Sequence, residues 1–209
     1  MNHIPSGDDK ISKPASIALS FLLKNLKKSN QLTFLDIGCG DGRDIDYISS
    51  NFDNLIIKGI DISLKAVEKA IKLNSNKDNV TFECLDCKDL DETQYDIIYI
   101  SGVYHFFNLA DRNSFISKIR NILKINGVFF LSTLSSNDKQ YYGKGVPVPN
   151  DPNSFQSEYF LHFCSKEELL TDFKFLKIFD LFEFFHKNYS KDTDYHTMWL
   201  LLGENVNPI

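Results

Sequence analysis

The stretch Phe34-Leu35-Asp36-Ile37-Gly38-Cys39-Gly40-Asp41-Gly42-Arg43-Asp44 constrains this chain more than any other. A short apolar run broken by one acid meets three glycines on alternate positions, and Ile45 and Ile48 follow at helical spacing. Glycines let the backbone turn sharply and approach a ligand with no Cβ in the way. Strand, glycine loop and helix in succession make a site for a nucleotide-like ligand, with backbone N–H groups turned toward it. A dinucleotide fingerprint would carry its third glycine at position 43, where this chain has Arg43, which counts against a nicotinamide-dependent dehydrogenase. Asp36, just before the loop, suits a ligand bearing an ammonium better than one bearing a pyrophosphate, because like charges repel.

The pattern that follows is a series of strand–helix units. Pro14 opens an amphipathic helix with Leu19, Leu22, Leu23 and Leu26 on one face, after a polar arm over residues 1–11. The first strand spans Leu32 to Ile37, and a helix follows from Arg43 to Ser49. A second strand over residues 55–60 ends at Asp61, 19 residues past Gly42, the position of a ribose-binding acid. The alternative role for Asp61 is an N-cap, which Ser63 can supply instead. Leu64, Val67 and Ile71 form the inner face of the next helix. Residues 79–84 are a third strand, followed by Asp86, and residues 95–100 a fourth, followed by Ser101-Gly102-Val103-Tyr104-His105. A helix over residues 112–123 ends at Asn126-Gly127 as a left-handed C-cap, and Val128 to Thr133 is a fifth strand. Parallel strands with right-handed crossovers bind ligands at their carboxyl ends, and every acid singled out lies on that edge.

The wording of these units is similar to that of the class I S-adenosylmethionine-dependent methyltransferases. Leu35-Asp36-Ile37-Gly38-Cys39-Gly40-Asp41-Gly42-Arg43 resembles the family's first motif, and Ser101 to Phe107 resembles its fourth. The run Ile122 to Thr133 resembles its fifth strand, with Ile125-Asn126-Gly127 where the usual proline-glycine stands. The resemblance covers about residues 30 to 135 well and the rest loosely. It implies an α/β, doubly wound Rossmann-like fold: a seven-stranded, mostly parallel sheet of order 3-2-1-4-5-7-6. Lys174 to Glu183 and Tyr195 to Gly203 would form its antiparallel edge hairpin, joined by His186 to Asp194. The implied cofactor is S-adenosyl-L-methionine. Asp36, Gly38, Cys39 and Gly40 would hold its methionine end, and Asp61 and Ile62 its ribose. Asp86 and Cys87, beside Leu85, would meet the adenine, whose amino group donates to an oxygen acceptor, and Ser101 completes the set. The alternative for Asp86 is an ordinary loop aspartate, in a stretch with acids at 89, 91 and 92.

Composition narrows the partners. A chain of 209 residues suits one domain. Within 1–209 we read an N-terminal arm and helix (1–30), a cofactor-binding core (31–134), a substrate lid (135–164) and a C-terminal helix with edge hairpin (165–209). A net charge of −5 argues against nucleic acid, whose phosphates need a basic face. Residues 1–10 carry no apolar signal core, and no apolar run reaches membrane length, so a cytoplasmic protein is the expectation. Cys84-Leu85-Asp86-Cys87 has no second pair to complete a tetrahedral site, and no metal is expected. Oligomeric state is not legible.

Residues 135–164 break the rhythm. Pro147, Pro149 and Pro152 argue against regular structure, and the segment is rich in aromatics. A long aromatic loop after a fifth strand reads as a lid, with Tyr141, Tyr142 and His162 toward the substrate; the alternative is a surface loop packed on itself. Ser165 and Glu168 have the spacing of a capping box. Methyl transfer from a sulfonium needs mainly a positioned nucleophile, so the expected function is in-line methylation of a small-molecule acceptor. Tyr104 and His105 are the candidate catalytic pair, a neutral His105 taking the acceptor's proton; the alternative for His105 is a packing role in its loop. An acceptor as acidic as a thiol would need no base. The amino-methylating motif of nucleic-acid enzymes is absent, Ser101-Gly102-Val103-Tyr104 standing in its place. Asp194 to Trp199 loosely resembles small-molecule methyltransferases, including the tellurite-resistance-like group. The alternative function is a non-catalytic S-adenosylmethionine-binding subunit that regulates or scaffolds a partner.

Overall fold

The computed structural model describes residues 12–25, 31–187 and 195–206. The expected N-terminal arm, Leu26 and most of the hairpin link lie outside the described residues. Five strands alternate with helices: β1 (Leu32–Ile37), β2 (Leu55–Asp61), β3 (Val80–Cys84), β4 (Tyr95–Ser101) and β5 (Leu123–Leu134). The helices are α1 (Lys13–Asn25), α2 (Arg43–Ser49), α3 (Leu64–Leu73) and α4 (Leu109–Ile122). Three short strands follow, β6 (Val146–Pro147), β7 (Ser154–Gln156) and β8 (Phe160–His162), then α5 (Lys166–Asp172) and the long strands β9 (Leu176–Lys187) and β10 (Tyr195–Asn205).

The main sheet has the order β3-β2-β1-β4-β5-β10-β9. The first five strands are parallel, and β10 runs antiparallel to both β5 and β9. This is the order expected from the resemblance. Side chains alternate across each strand, so neighbouring residues enter opposite layers. Leu35, Ile98 and Phe129 pack with Ile119, Leu169 and Phe173 on one face. Phe34, Ile97, Tyr99 and Phe130 pack with Ala18, Leu19, Leu22, Ile45 and Ile48 on the other.

Several local readings shift. In α1 the buried stripe is Ala15, Ala18, Leu19 and Leu22, one turn earlier than the leucines suggest, and Leu23 is 51% exposed. In α3 the inward positions are Val67 and Ala70, while Leu64 (59%) and Ile71 (50%) face outward. Small residues can occupy an inner stripe where a helix lies close to its neighbour: a Cβ on Gly42 would come within 2.8 Å of Ala70. α4 starts at Leu109, capped by Asn108, whose side chain accepts from the Asp111 amide. Asn126 does adopt a positive φ of 61°, but not as a helix cap. The helix stops at Ile122, the fully buried Leu123 pairs with Tyr95, and the partner of Ile97 is already Val128. Asn126 therefore sits in a bulge of β5.

The proline-bearing segment is also more regular than expected. β6, β7 and β8 form a separate antiparallel sheet, with Pro147 on its edge strand, where a missing N–H costs no ladder bond. Its two ends meet at the end of β5: Ser135 bridges Cys164, and the Cys164 amide donates to the Leu134 carbonyl at 2.9 Å. Ser165 and Glu168 form the expected capping box of α5.

Candidate active site

The glycine loop crosses the carboxyl ends of β1, β2 and β4. The amides of Gly38 and Cys39 donate to the Ile60 carbonyl at 2.8 and 3.0 Å. Gly38 has φ 77°, and a Cβ there would lie 2.1 Å from Val103 Cγ2, so both its conformation and its neighbour exclude a larger residue. Gly40 has φ 55° and open space where a Cβ would be. Its amide donates to Asp61 Oδ2 at 2.9 Å, while Asp61 Oδ1 accepts from the Ser63 amide at 2.8 Å. Asp61 thus ties the loop to the start of α3, and Ser63 Oγ takes the N-cap position.

Beneath the loop Asp36 is 2% exposed. Burial, with Asp44 and Asp61 nearby, holds its carboxyl well above the usual carboxylate range. Asp44 accepts from Ser12 Oγ at 2.6 Å and from the Tyr99 hydroxyl at 2.8 Å. Three acids around a loop whose backbone leaves room for a ligand favour a ligand carrying positive charge.

Two cavities open along this edge. The smaller, of about 360 Å³, is lined by Gly38, Asp61, Ile62, Leu85, Asp86 and Cys87, closed by Val103 and Phe107. The larger, of about 890 Å³, runs from Cys39, Gly40 and Asp44 past His105 to Tyr141, Tyr159 and Leu161. Ser101, Gly102 and Phe106 line both, so the two are parts of one cleft. Ser101 Oγ lies 3.1 Å from Ser132 Oγ, its register partner on β5. The Asp86 side chain accepts from the Lys88 amide, and Cys87 has its thiol pushed up to about 12 by burial and by Asp86.

Of the residues read from sequence, Gly38, Cys39, Gly40, Asp61, Ile62, Asp86, Cys87, Ser101, His105 and Tyr141 come together on this cleft. Asp36 lies directly behind it. Three others lie elsewhere, each for a clear reason. Tyr104 is fully buried between Phe107, Phe115 and Phe173, and its hydroxyl donates to Asp172 at 2.9 Å. Tyr142 is 41% exposed, bonds Asn153 through its hydroxyl and sets its ring edge against Phe155 and Phe163. His162 is fully buried: Nδ1 lies 2.8 Å from Ser154 Oγ and Nε2 lies 2.8 Å from Glu168 Oε1. His162, Cys164 and Glu168 lie close enough to share an ion, but Arg112 already stands 3.8 Å from Glu168 and pairs with Asp151 at 2.5 Å. A resident guanidinium there supplies the positive charge that a cation would bring.

His186 and His196 were missed. Register sets them opposite one another on β9 and β10, and both line the larger cavity with His105. Burial, with His196 and His162 nearby, holds His105 neutral, lowered to about 3; His186 is lowered by burial and by His196. The sequence signal is a histidine on each side of a hairpin link; β9 runs on through His186, which the expected link includes.

A family model described as a methyltransferase domain matches residues 35–129. An uncharacterized methyltransferase of Schizosaccharomyces pombe is 32% identical over 111 residues, covering 52% of this chain and 75% of the relative. The chain belongs to the class I S-adenosylmethionine-dependent methyltransferases. Solved structures agree on the fold of this methyltransferase. A SAM-dependent methyltransferase from Methanosarcina mazei has a TM-score of 0.76 at 16% identity, covering 90% of this chain and 98% of that one. The Burkholderia thailandensis 1,6-didemethyltoxoflavin-N1-methyltransferase, solved with 1,6-didemethyltoxoflavin and S-adenosylhomocysteine, has a TM-score of 0.69 at 15% identity, covering 95% and 80%. The methyltransferase's own residues fit the cofactor: a buried acid beneath the loop, open space over Gly40 and an acid at the end of each of β2 and β3.

Proposed function

We propose that this methyltransferase methylates a small organic acceptor held in the larger cavity, between the glycine loop and the edge hairpin. The observation that carries the reading is the division of one cleft into two chambers joined at Ser101, Gly102 and Phe106. The smaller, at about 360 Å³, sets Asp61 and Asp86 among apolar walls that include Ile60, Ile62 and Leu85. The larger, at about 890 Å³, lies within the roughly 300–1,000 Å³ of small-molecule sites. Its far wall is aromatic and apolar, with Tyr141, Tyr159, Leu161 and Met198. The Burkholderia enzyme of the same fold, solved with 1,6-didemethyltoxoflavin bound, supports a small organic acceptor. Net charge −5 speaks against nucleic acid, and no helix among the described residues is long and apolar enough to cross a membrane.

In this reading the bound donor supplies a methyl group already activated by its sulfonium. Asp36 would face the ammonium, which would favour its ionised form, and Gly38 and Gly40 would leave room for the methionine end. Asp61 accepts from ribose hydroxyls beside Ile62, and Asp86 accepts from the adenine amine with Cys87 at the ring. His105, held neutral, lines the acceptor chamber, and the segment 135–164 covers it as a lid, with Tyr141 as its contact to the acceptor.

A thermal-shift panel tests the cofactor half. S-adenosylmethionine and S-adenosylhomocysteine should raise the melting temperature by mass action, and NAD should not. Coupled detection of S-adenosylhomocysteine over a panel of phenols, thiols and heteroaromatic amines tests the acceptor half. A shift with NAD alone would overturn the reading, as would turnover only on nucleic acid.

A further inference from the structure

We propose that His196 is the residue that takes the acceptor's proton, with Asp138 as the positioning residue behind its ring. This rests on the methyl-transfer reading above and gives that reaction its base. His196 lines the acceptor chamber. Its ring stacks on Tyr141, with centroids 4.6 Å apart and planes at 29°. Its Nδ1 is buried, has no hydrogen-bond partner among the described residues, and lies 4.0 Å from Asp138 Oδ2. Asp138 is 2% exposed and is absent from the cavity wall. Its carboxylate is fixed by three backbone donors: the amides of Gln140 at 3.0 Å and Tyr141 at 2.6 Å on Oδ1, and of Thr197 at 2.6 Å on Oδ2. Thr197 adjoins His196 on β10, so acid and imidazole share one register.

A carboxylate behind an imidazole selects the tautomer with its hydrogen on the facing nitrogen. Nε2 then carries a lone pair and acts as an acceptor. Catalytic hydrogen bonds of this kind are often long before substrate binds, and closing 4.0 Å to a bond takes a shift of about 1 Å. The other histidines of the chamber are worse placed. His105 is buried, and burial, His196 and His162 all oppose a charge on its ring, with no acid among the groups that shift it. His186 is opposed by burial and by His196 itself, which together outweigh the opposing pull of Asp44. The groups facing His196 are Asp138 and Tyr141 from the segment after β5, His186 from β9 and His105 from the turn after β4; Lys144 lies 5.1 Å over the Tyr141 ring.

The acceptor class follows: a weakly acidic O–H, N–H or S–H that is still protonated at working pH. Its X–H bond breaks, its electron pair stays on X for the new bond to the methyl carbon, the proton passes to His196 Nε2, and the donor's C–S pair remains on sulfur. Asp138 balances the imidazolium so formed.

Histidine nitrogen NMR of the full chain saturated with S-adenosylhomocysteine, in mildly alkaline buffer, reads the tautomer without any acceptor. His196, assigned by its loss in His196→Gln, should carry hydrogen on Nδ1, and Asp138→Asn should move it to Nε2. Hydrogen on Nε2 in the wild type overturns the proposal, whether or not Asp138→Asn folds. His196→Gln should keep the thermal shift with S-adenosylmethionine. Over a graded series of phenols and thiophenols it should lose about 10²–10⁴-fold in turnover on the least acidic and little on those already ionised. An equal loss across the series overturns the proposal. A wild type that shows no shift with S-adenosylmethionine overturns the methyl-transfer reading itself, whereas a normal shift with the wrong tautomer removes only His196.

Discussion

A carboxyl buried under a glycine loop is costly to ionise unless a cation sits against it. Asp36 has no such cation of the protein's own among the groups that shift it; burial, Asp44 and Asp61 all push its carboxyl upward. A ligand ammonium reverses that balance and favours the ionised form, so cofactor binding should release a proton. The affinity for S-adenosylmethionine should therefore rise as pH rises toward the raised value of Asp36, then level off. Titration calorimetry in two buffers of different ionisation enthalpy reads the released proton directly. Asp36→Asn should abolish the buffer difference and weaken binding; an unchanged buffer difference would assign the proton to another group.

The segment from Ser135 to Cys164 owes its order to buried polar anchors. Arg112 on α4 donates to Asp151 Oδ1 at 2.5 Å and to the Phe107 carbonyl at 2.9 Å, so the segment is fastened to the helix beside the cleft. Asp151 Oδ2 also accepts from the Leu109 amide at 3.1 Å, which links the same anchor to the first turn of α4. Removing one member of such a pair leaves a buried charge alone. Arg112→Met should cost about 3–5 kcal/mol of unfolding free energy in urea and open the segment to trypsin near Lys139 and Lys144. Stability within about 1 kcal/mol of wild type would mean that the pair contributes little beyond its own desolvation.

Across the whole molecule the cleft gathers groups that oppose one another in pH. His105 is lowered to about 3, so between there and its unfolded value the unfolded chain binds more protons and stability rises with pH. Asp36 is raised, so above its unfolded value the native state binds more protons and stability falls with pH. The two overlap in mildly acid solution, and a wild-type profile alone mixes them. Comparison with His105→Leu separates them. Relative to wild type the variant should gain stability as pH falls from about 6.5 toward 3, at up to about 1.4 kcal/mol per unit, in urea melts along a pH series. A constant difference would show that His105 is not neutral in the fold.

The sequence by itself determined the parts that depend on neighbours along the chain. The succession of the first five strands along the chain, the sharp glycine turn, the acids at the ends of β1 and β2 and the capping box of α5 follow from local pattern, and the structure bears them out. The order of the strands within the sheet, by contrast, is what the family resemblance implies. Even Asn126 takes the predicted left-handed backbone. What the chain could not reveal is which face of an element meets which partner. In α1 Ala15 and Ala18 share the inner stripe with the expected Leu19 and Leu22, while Leu23 faces outward. Tyr104 and His162 carry reactive groups, yet both bond inward, Tyr104 to Asp172 and His162 through Nδ1 to Ser154, as most buried polar groups do. His186 and His196 reach the larger cavity only through the register of an edge hairpin, and Asp138 reaches His196 only because β10 returns beside β5. Periodicity is written in one dimension; convergence of side chains from distant strands is a property of the closed sheet.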